Sequence, residues 1–339
     1  MNERKKAVLS AVDHKQGVVP YNVELTSEKQ RDLCIEIGIE PNEYFAWSGN
    51  HIEKADYNTG KYIKPGFYED NFGVVWNRTG LDKDIGVVDK TLVNEDNCMT
   101  YSYPEVDLNH VKNITEALVN NGKDTLKLGK ISMTLFERAW SLRGMQDLLI
   151  DFHVDAEAVE HLFDQIMEYN MKIIDTALEY DIDGFYFGDD FGTQRGLIMS
   201  PDSWRTLIKP RYKIMFDKIK RRNKITALHS CGNIIDLLGD LIDIGLDIYQ
   251  TVQPEVYDLQ ILKKEFGKDL CFWGAISTQK LLPFATKTEL IDTVNKTIDI
   301  MSKNGGYIAA PTHQVPPDVS NENILTLIEL LRDKAEPPV

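Results

Sequence analysis

Three features are scarce in this sequence, and each scarcity narrows the class of protein to which it can belong. It has four cysteines in 339 residues, so a disulfide framework is not expected and the thiols are predicted to be reduced. Nowhere does it approach a run of about eighteen apolar residues, and no signal-peptide core follows its basic start, which predicts a cytoplasmic protein without membrane spans. Basic residues are also few, 38 against 53 acidic ones. The formal charge of −15 disfavours nucleic acid, anionic lipid and polyanionic substrates as partners.

The marker motifs of two common enzyme classes are also missing. No glycine-rich phosphate loop of the Walker or dinucleotide type follows a predicted strand, and no Gly-x-Ser-x-Gly motif occurs. Nucleotide-dependent chemistry and serine-hydrolase chemistry are therefore not indicated.

Short apolar segments and longer amphipathic segments alternate from about residue 125 onward. This rhythm predicts βαβ units with buried parallel strands. Several such units without an obvious second domain favour one closed (β/α)8 barrel, a TIM barrel, over an open doubly wound sheet. Helices are predicted to begin near residues 155, 200, 234 and 287. The predicted strands are 18–25, 126–132, 184–188, 225–229, 247–250, 270–274 and 307–311.

The first third of the chain is less regular. Residues 41–105 are rich in Tyr, Asn, Asp and Gly. We expect them to form an irregular insertion near the barrel mouth, within a single domain that spans residues 1–339.

Residues of metal-binding type follow two of the predicted strands. His229 ends one strand with Cys231 two residues later, and His313 follows the last strand. The carboxyl ends of barrel strands meet on one face, and residues two apart in an extended segment point to the same side. A His, Cys, His set with an open fourth position is typical of a catalytic zinc site. The alternative for His229 and Cys231 is a hydrogen-bonded imidazole beside an inert thiol.

Other strand ends carry polar residues with two interpretations each. Asp189 and Asp190 either cap the next element or orient a substrate or a ligand histidine. Glu24 is either a solvated turn residue or a residue that contacts the metal or the substrate, and the fourth zinc ligand is either water or a carboxylate such as Glu24. Gln250 follows another predicted strand and is assigned to substrate binding.

Four segments resemble a known family in sequence, order and spacing. Together they resemble the uroporphyrinogen decarboxylase superfamily over about residues 130–325. That resemblance implies a (β/α)8 barrel and one of two chemistries, namely metal-free porphyrinogen decarboxylation or zinc-dependent methyl transfer to or from a corrinoid on a partner protein. The segments are ERAWSLRGMQDLLIDF (137–152), GDDFGTQRGLIMSPDSWRTLIKPRY (188–212), HSCGN (229–233) and GGYIAAPTHQVPPDVSNENI (305–324).

Two features favour the methyltransferase branch. The decarboxylases carry an arginine-rich block near the amino terminus, whereas this chain reads VVPYNVELTSEKQRDL there. The zinc methyltransferases carry His-x-Cys and a later cysteine; His229 and Cys231 match, and His313 replaces the later cysteine. A neutral imidazole in place of a thiolate leaves zinc a stronger Lewis acid, which favours O-demethylation of a methoxylated aromatic over transfer to a thiol.

The resemblance also implies roles for residues around the zinc. Zinc would hold the leaving heteroatom, and a corrinoid-carrying protein would cap the barrel mouth. Asp189 or Asp190 would hydrogen-bond the substrate or help to protonate the product. The aromatic residues predicted to line the pocket are Tyr186, Phe187, Phe191 and Trp273.

Other functions remain open on sequence alone. One is a methylcobamide:thiol methyltransferase, and another is a metal-free decarboxylase of a small acid that uses Arg138, Arg143 or Arg195. A third is a barrel that only binds a tetrapyrrole or corrinoid. The sequence leaves open the methyl donor, the direction of transfer and whether the protein is a monomer or a homodimer.

Overall fold

The computed structural model describes residues 3–80 and 86–335, and a parallel sheet dominates it. Within those residues, seven strands form one parallel sheet, and two small antiparallel sheets lie outside it. The strands are β1 (Ile52–Asp56), β2 (Gly60–Lys64), β3 (Phe67–Asp70), β4 (Val75–Asn77), β5 (Val87–Val88), β6 (Leu126–Ile131), β7 (Gly184–Gly188), β8 (Gly192–Thr193), β9 (Gly196–Leu197), β10 (Ile225–His229), β11 (Ile248–Val252), β12 (Cys271–Ile276) and β13 (Tyr307–Pro311).

Helices surround the sheet, and their starts follow local capping signals. Ser200 accepts a hydrogen bond from the Ser203 N–H with Pro201 at the first helical position, as its sequence predicts. A 3₁₀ turn occupies Pro41–Glu43 and a π-helical turn Trp204–Ile208. The α-helices are α1 (Glu3–Val12), α2 (Ser27–Ile37), α3 (Tyr44–Ser48), α4 (Leu108–Val119), α5 (Phe136–Arg143), α6 (Met145–Val154), α7 (Ala156–Ala177), α8 (Pro201–Ser203), α9 (Lys209–Lys220), α10 (Ile235–Asp243), α11 (Leu259–Phe266), α12 (Leu281–Phe284), α13 (Lys287–Met301) and α14 (Asn321–Ala335).

The sheet closes through a segment that makes only isolated bridges. Its strand order is β1-β6-β7-β10-β11-β12-β13, so β1 and β13 are its edges. Tyr21 bridges to Ala309 of β13, and the His51 N–H just before β1 donates to the Tyr21 carbonyl at 3.1 Å. The segment 20–25 therefore stands in the eighth strand position. The predicted (β/α)8 barrel is confirmed, and the open sheet is not found.

Side chains alternate between the barrel interior and the layer under the helices. Along β7, Tyr186 belongs to the interior cluster, whereas Phe185 and Phe187 belong to the larger outer cluster. Val8 and Ala11 of α1 also belong to the interior cluster, so α1 covers the amino-terminal end of the barrel. The carboxyl-terminal end is left to the βα loops, which carry the chemistry in this fold.

Part of the range predicted as an irregular insertion is a barrel strand. β1 lies inside residues 41–105 and pairs in parallel with β6. Its sequence, IEKAD, has three charged residues and lacks the apolar pattern of a buried strand. The inserted part is the antiparallel sheet β2–β5, which follows the carboxyl end of β1. Residues 81–85 of the predicted insertion lie outside the described residues.

A buried ion pair holds the inserted sheet against the barrel. Asp70, in β3, lies 2.6 Å from Arg138 of α5, and both side chains are buried. Asp70 also accepts a hydrogen bond from the Trp76 indole at 2.9 Å. Because α5 follows β6, this pair places the inserted sheet beside the carboxyl-terminal end of the barrel.

Acid should destabilise the fold through His51, at the amino-terminal end of the barrel. Burial lowers the pKa of His51 to about 4, from an ordinary 6.5. The unfolded chain therefore takes up a proton while the folded chain stays neutral, so stability is lost as pH falls from about 6.5 towards 4, by about 3 kcal/mol at most. In urea unfolding, the wild type should lose more stability than His51→Gln between pH 7 and pH 4.5. An equal loss in both proteins would contradict the role of His51.

All four cysteines are free. In the described part of the chain, no helix combines the length and the apolar character that a membrane span needs.

Candidate metal centre

The three predicted metal ligands lie at the carboxyl-terminal end of the barrel. His229 is the last residue of β10, Cys231 lies two residues beyond it, and His313 lies two residues beyond β13. Within β10, Ala227 belongs to the interior cluster and Leu228 to the outer one. The same alternation turns His229 and Cys231 towards the interior.

Their ligand atoms converge. The Cys231 Sγ lies 3.0 Å from His313 Nε2 and 3.4 Å from His229 Nε2. The three atoms lie within 4.8 Å of one another. In residues 3–80 and 86–335, no other group of three residues drawn from His, Cys, Asp and Glu has its ligand atoms this close together. Two imidazole nitrogens and one thiolate are a ligand set that zinc binds, with a fourth position left open.

Burial and nearby charges set the protonation of these groups. Burial, with a smaller effect of His229, lowers the pKa of His313 to about 4. The ring is thus neutral at pH 7, which is the form that binds metals. Burial and the Asp190 carboxylate raise the pKa of the Cys231 thiol. A bound divalent cation would reverse that second effect, because coordination deprotonates a thiol. The donor chemistry therefore fits zinc.

Comparison with known proteins gives the family. The family model described as Uroporphyrinogen decarboxylase (URO-D) matches residues 81–334, well over half of the chain. This chain belongs to the uroporphyrinogen decarboxylase family. The resemblance predicted from the four sequence segments is thus confirmed.

Two proteins that this chain is similar to are named as methyltransferases. The methylcobamide:CoM methyltransferase MtaA of Methanosarcina barkeri is 28% identical over 131 residues, which are 39% of this chain and 36% of that protein. The match thus spans little more than a third of the relative's length. A solved methyltransferase from Methanosarcina mazei has the same fold, with a TM-score of 0.70 and 18% identity over 98% of this chain and 99% of that one.

In this URO-D chain, Gln250 holds the imidazole ring of His229, one of the three predicted ligands. Its Oε1 contacts His229 Nδ1 and accepts a hydrogen bond from the Tyr186 hydroxyl at 2.8 Å. Its Nε2 donates to the Thr312 carbonyl at 3.2 Å. Because the amide oxygen faces the imidazole, Nδ1 carries the proton and Nε2 is free to bind a metal. The structure thus gives Gln250, predicted to bind substrate, a position behind a predicted ligand.

Replacing Gln250 with leucine should weaken zinc binding by about 10- to 100-fold, because the His229 ring loses the partner that sets its tautomer. Gln250→Glu keeps an acceptor oxygen and should bind zinc at least as well as the wild type. Competition with a chelating dye measures both affinities. Gln279→Leu, at an exposed position, is the matched control. A wild-type affinity in Gln250→Leu would contradict this role.

The two adjacent acids occupy different environments. Asp190 Oδ1 accepts the Cys231 N–H at 2.8 Å and lies 3.6 Å from His229 Nε2. Asp189 is fully buried and accepts from the Tyr212 hydroxyl at 2.9 Å. It also accepts three backbone N–H groups at the start of α5, from Leu135, Phe136 and Glu137. Asp189 therefore caps a helix, which corrects its assignment as a catalytic residue; Asp190 lies beside the ligands.

Two of the four predicted pocket aromatics face the interior. Tyr186 and Trp273 belong to the interior cluster, with ring centroids 5.5 Å apart. Phe187 and Phe191 belong to the outer cluster, where Phe191 packs 5.8 Å from Trp204. The prediction that Phe187 and Phe191 wall the pocket is therefore corrected. The reason for Phe187 is that neighbours along a strand point to opposite faces.

Lys54 is a neighbour of the interior aromatic residues that sequence reasoning misses, because β1 has no apolar pattern. Its Nζ lies 4.7 Å from the Tyr186 ring centre and 5.3 Å from that of Trp273. It also lies 2.7 Å from Glu24 Oε1. Although burial acts in the opposite direction, Lys54 holds the pKa of Glu24 below its ordinary value. Glu24 is thus engaged by a lysine and stands outside the compact ligand set, against its assignment as a fourth zinc ligand.

Glu137 is a second residue that the sequence does not single out. Burial and the neighbouring carboxylates of Asp190 and Asp189 raise the pKa of Glu137 well above its ordinary value. The raised pKa favours the protonated form of the Glu137 carboxyl group, which lies near Asp190. Its only sequence signal is its place at the start of the 137–152 segment that carries the family resemblance.

The arginines considered for a decarboxylase are engaged elsewhere. Arg138 is buried against Asp70. Arg143 pairs with Asp151 at 2.8 Å. Arg195 is exposed in the turn between β8 and β9. The structure thus offers no support for a carboxylate site built from these three residues.

Proposed function

We propose that this protein is a zinc-dependent methyltransferase that moves a methyl group from a methoxylated aromatic compound to the corrinoid of a partner protein. The observation that carries the proposal is the convergence of His229, Cys231 and His313 at the carboxyl-terminal end of a URO-D barrel. The match to a methylcobamide:CoM methyltransferase supports methyl transfer as the reaction class.

The chain's own residues would prepare the site. His229, Cys231 and His313 would hold zinc, which supplies a Lewis acid for the heteroatom that carries the methyl group. Gln250 keeps His229 in the tautomer that frees Nε2. Asp190 accepts the Cys231 N–H and so fixes the turn that carries the thiol.

The interior residues beside the ligands suit an aromatic substrate. Tyr186 and Trp273 offer flat apolar walls against which a substrate ring can pack. The Lys54 ammonium, between those rings and Glu24, can donate a hydrogen bond to a polar ring substituent. Glu137 would hold a proton near Asp190, available to the demethylated oxygen of the product.

The ligand set favours an ether over a thiol as the methyl-bearing partner. Two histidines and one cysteine bring one negative charge, whereas a set with two cysteines brings two. Less negative charge leaves zinc more electrophilic, which suits polarisation of a neutral ether oxygen. The second candidate, a methylcobamide:thiol methyltransferase, is supported by the activity named for the M. barkeri relative.

The corrinoid protein would approach over the inserted sheet. That sheet follows the carboxyl end of β1 and is held to α5 by the Asp70–Arg138 pair. Its strand β2 is exposed along its whole length. A partner resting on it would reach the mouth of the barrel above the zinc ligands.

Methyl transfer in both directions tests the proposal. The purified protein is mixed with a reduced corrinoid protein and 2-methoxyphenol, or with methylcobamide and 2-mercaptoethanesulfonate, and the visible spectrum of the corrinoid is followed. We expect transfer from the ether, abolished in His313→Ala and retained in the exposed control His153→Ala. Transfer to the thiol alone would favour the second candidate. Zinc-independent release of carbon dioxide from a small acid would overturn both.

A further inference from the structure

A cavity lies at the amino-terminal end of the barrel, opposite the predicted metal ligands. Its volume is about 480 Å³. It is bounded by α1, by residues 16–18, by α3 and by the end of α14. The residues that line it and enter the argument are Arg4, Lys6, Trp47, His51 and Arg332.

Cations dominate this cavity although the chain as a whole is acidic. Arg4, Lys6 and Arg332 line it, against the single acid Glu3. Among the described residues, the side chains of Arg4 and Lys6 have no ion-pair or hydrogen-bond partner. Unpaired cations that line a concave surface attract an anion, and the guanidinium group suits a carboxylate or phosphate.

A buried polar atom also lacks a partner here. His51 is 4% exposed, and its Nδ1 makes no hydrogen bond within the described structure. The ring lies close to the backbone of Tyr21 and Gly49, so His51 forms part of the wall, and the cations are the groups available to a ligand. Because burial lowers the pKa of His51 to about 4, its ring is neutral and adds no charge to the cavity at pH 7.

The wall that carries Trp47 is already ordered. The Arg332 guanidinium lies over the Trp47 indole at 5.0 Å and donates to the Trp47 carbonyl. The indole thus offers a flat apolar surface, and its orientation is held without a ligand. A ligand with an aromatic body would bury apolar area at little cost in ordering.

We propose that this cavity binds a small aromatic anion, with its carboxylate or phosphate group on Arg4 and Lys6 and its ring against Trp47. Reactions in this fold take place at the opposite end of the barrel, so the cavity is a binding site and not a second catalytic centre. The proposal does not depend on the metal site.

Calorimetry with 2-naphthoate and 2-naphthyl phosphate tests the proposal, with uncharged 2-naphthol for comparison. We expect both anions to bind, and the tighter one to identify the head group. Arg4→Gln and Lys6→Gln should each weaken binding about tenfold, as for the loss of one charge-assisted hydrogen bond. Lys287→Gln removes an equal charge from an exposed position at the opposite end of the barrel and should leave binding unchanged. Cys231→Ser should also leave it unchanged.

Four outcomes would overturn the proposal. Equal binding of 2-naphthol would remove the role of the cations, as would wild-type affinity in both Arg4→Gln and Lys6→Gln. Loss of binding in Cys231→Ser would assign the probe to the metal site. Binding that occurs only after removal of residues 336–339 would assign the cavity to the chain's own carboxyl-terminal segment.

Discussion

Purified protein should contain about one zinc per chain, and His229→Ala, Cys231→Ala and His313→Ala should each lose it. Each substitution removes one of three ligand atoms that lie within 4.8 Å of one another. Loss of a group that only orients a ligand costs about 10- to 100-fold in affinity, so the loss of a ligand itself should cost more than about 100-fold. Elemental analysis of the dialysed protein measures the zinc content per chain.

The controls for this experiment come from the same chain. His153→Ala and Cys98→Ser change the same residue types outside the site, at exposed and half-buried positions. Both should keep a full complement of zinc. If the wild type takes up no zinc when the metal is supplied in excess, the zinc site is refuted, and the methyl-transfer proposal loses the observation that carries it.

Replacing Asp189 with alanine should destabilise the fold by about 4 kcal/mol, because several buried donors lose their acceptor at once. These are three backbone N–H groups at the start of α5 and the Tyr212 hydroxyl. Asp189→Asn retains one acceptor oxygen and should recover part of the loss. The midpoint of urea unfolding measures both variants.

The neighbouring acid separates stability from metal binding. Asp190→Asn keeps an oxygen for the Cys231 N–H, so its unfolding free energy should stay within about 1 kcal/mol of the wild type. It removes a negative charge 3.6 Å from His229 Nε2, so zinc affinity should fall. If Asp189→Ala were as stable as the wild type, the capping role of Asp189 would be wrong.

Buried parallel strands were the easiest part of the fold to predict. The predicted strands 184–188, 225–229 and 307–311 coincide with β7, β10 and β13. Such strands are covered on both faces, so they are short apolar runs that stand out between amphipathic helices. The polar residues that follow β10 and β13 were therefore identified as meeting at one end of the barrel.

The barrel strand β1 was not predicted, because it carries charged residues. β1 reads IEKAD, and Lys54 within it points into the barrel, where Glu24 and two aromatic rings surround its ammonium group. No local pattern distinguishes such a strand from a loop, because its partners come from distant parts of the chain. The role of Glu24 could not be assigned for the same reason. A glutamate that binds a metal and a glutamate that pairs with a lysine cannot be told apart from the sequence around them.

The sequence by itself determined the barrel class and, through four characteristic segments, the family. It also predicted that His229, Cys231 and His313 converge, because strand periodicity and the shared direction of parallel strands place them on one face. Only the tertiary structure showed which other residues contact the predicted metal site. In the folded chain, Asp189 accepts backbone N–H groups at the start of α5, and Phe187 packs in the outer layer. Gln250 contacts the ring of His229. The physical reason is that these choices depend on donors and acceptors far apart in the chain, which only closure of the barrel brings within hydrogen-bonding distance.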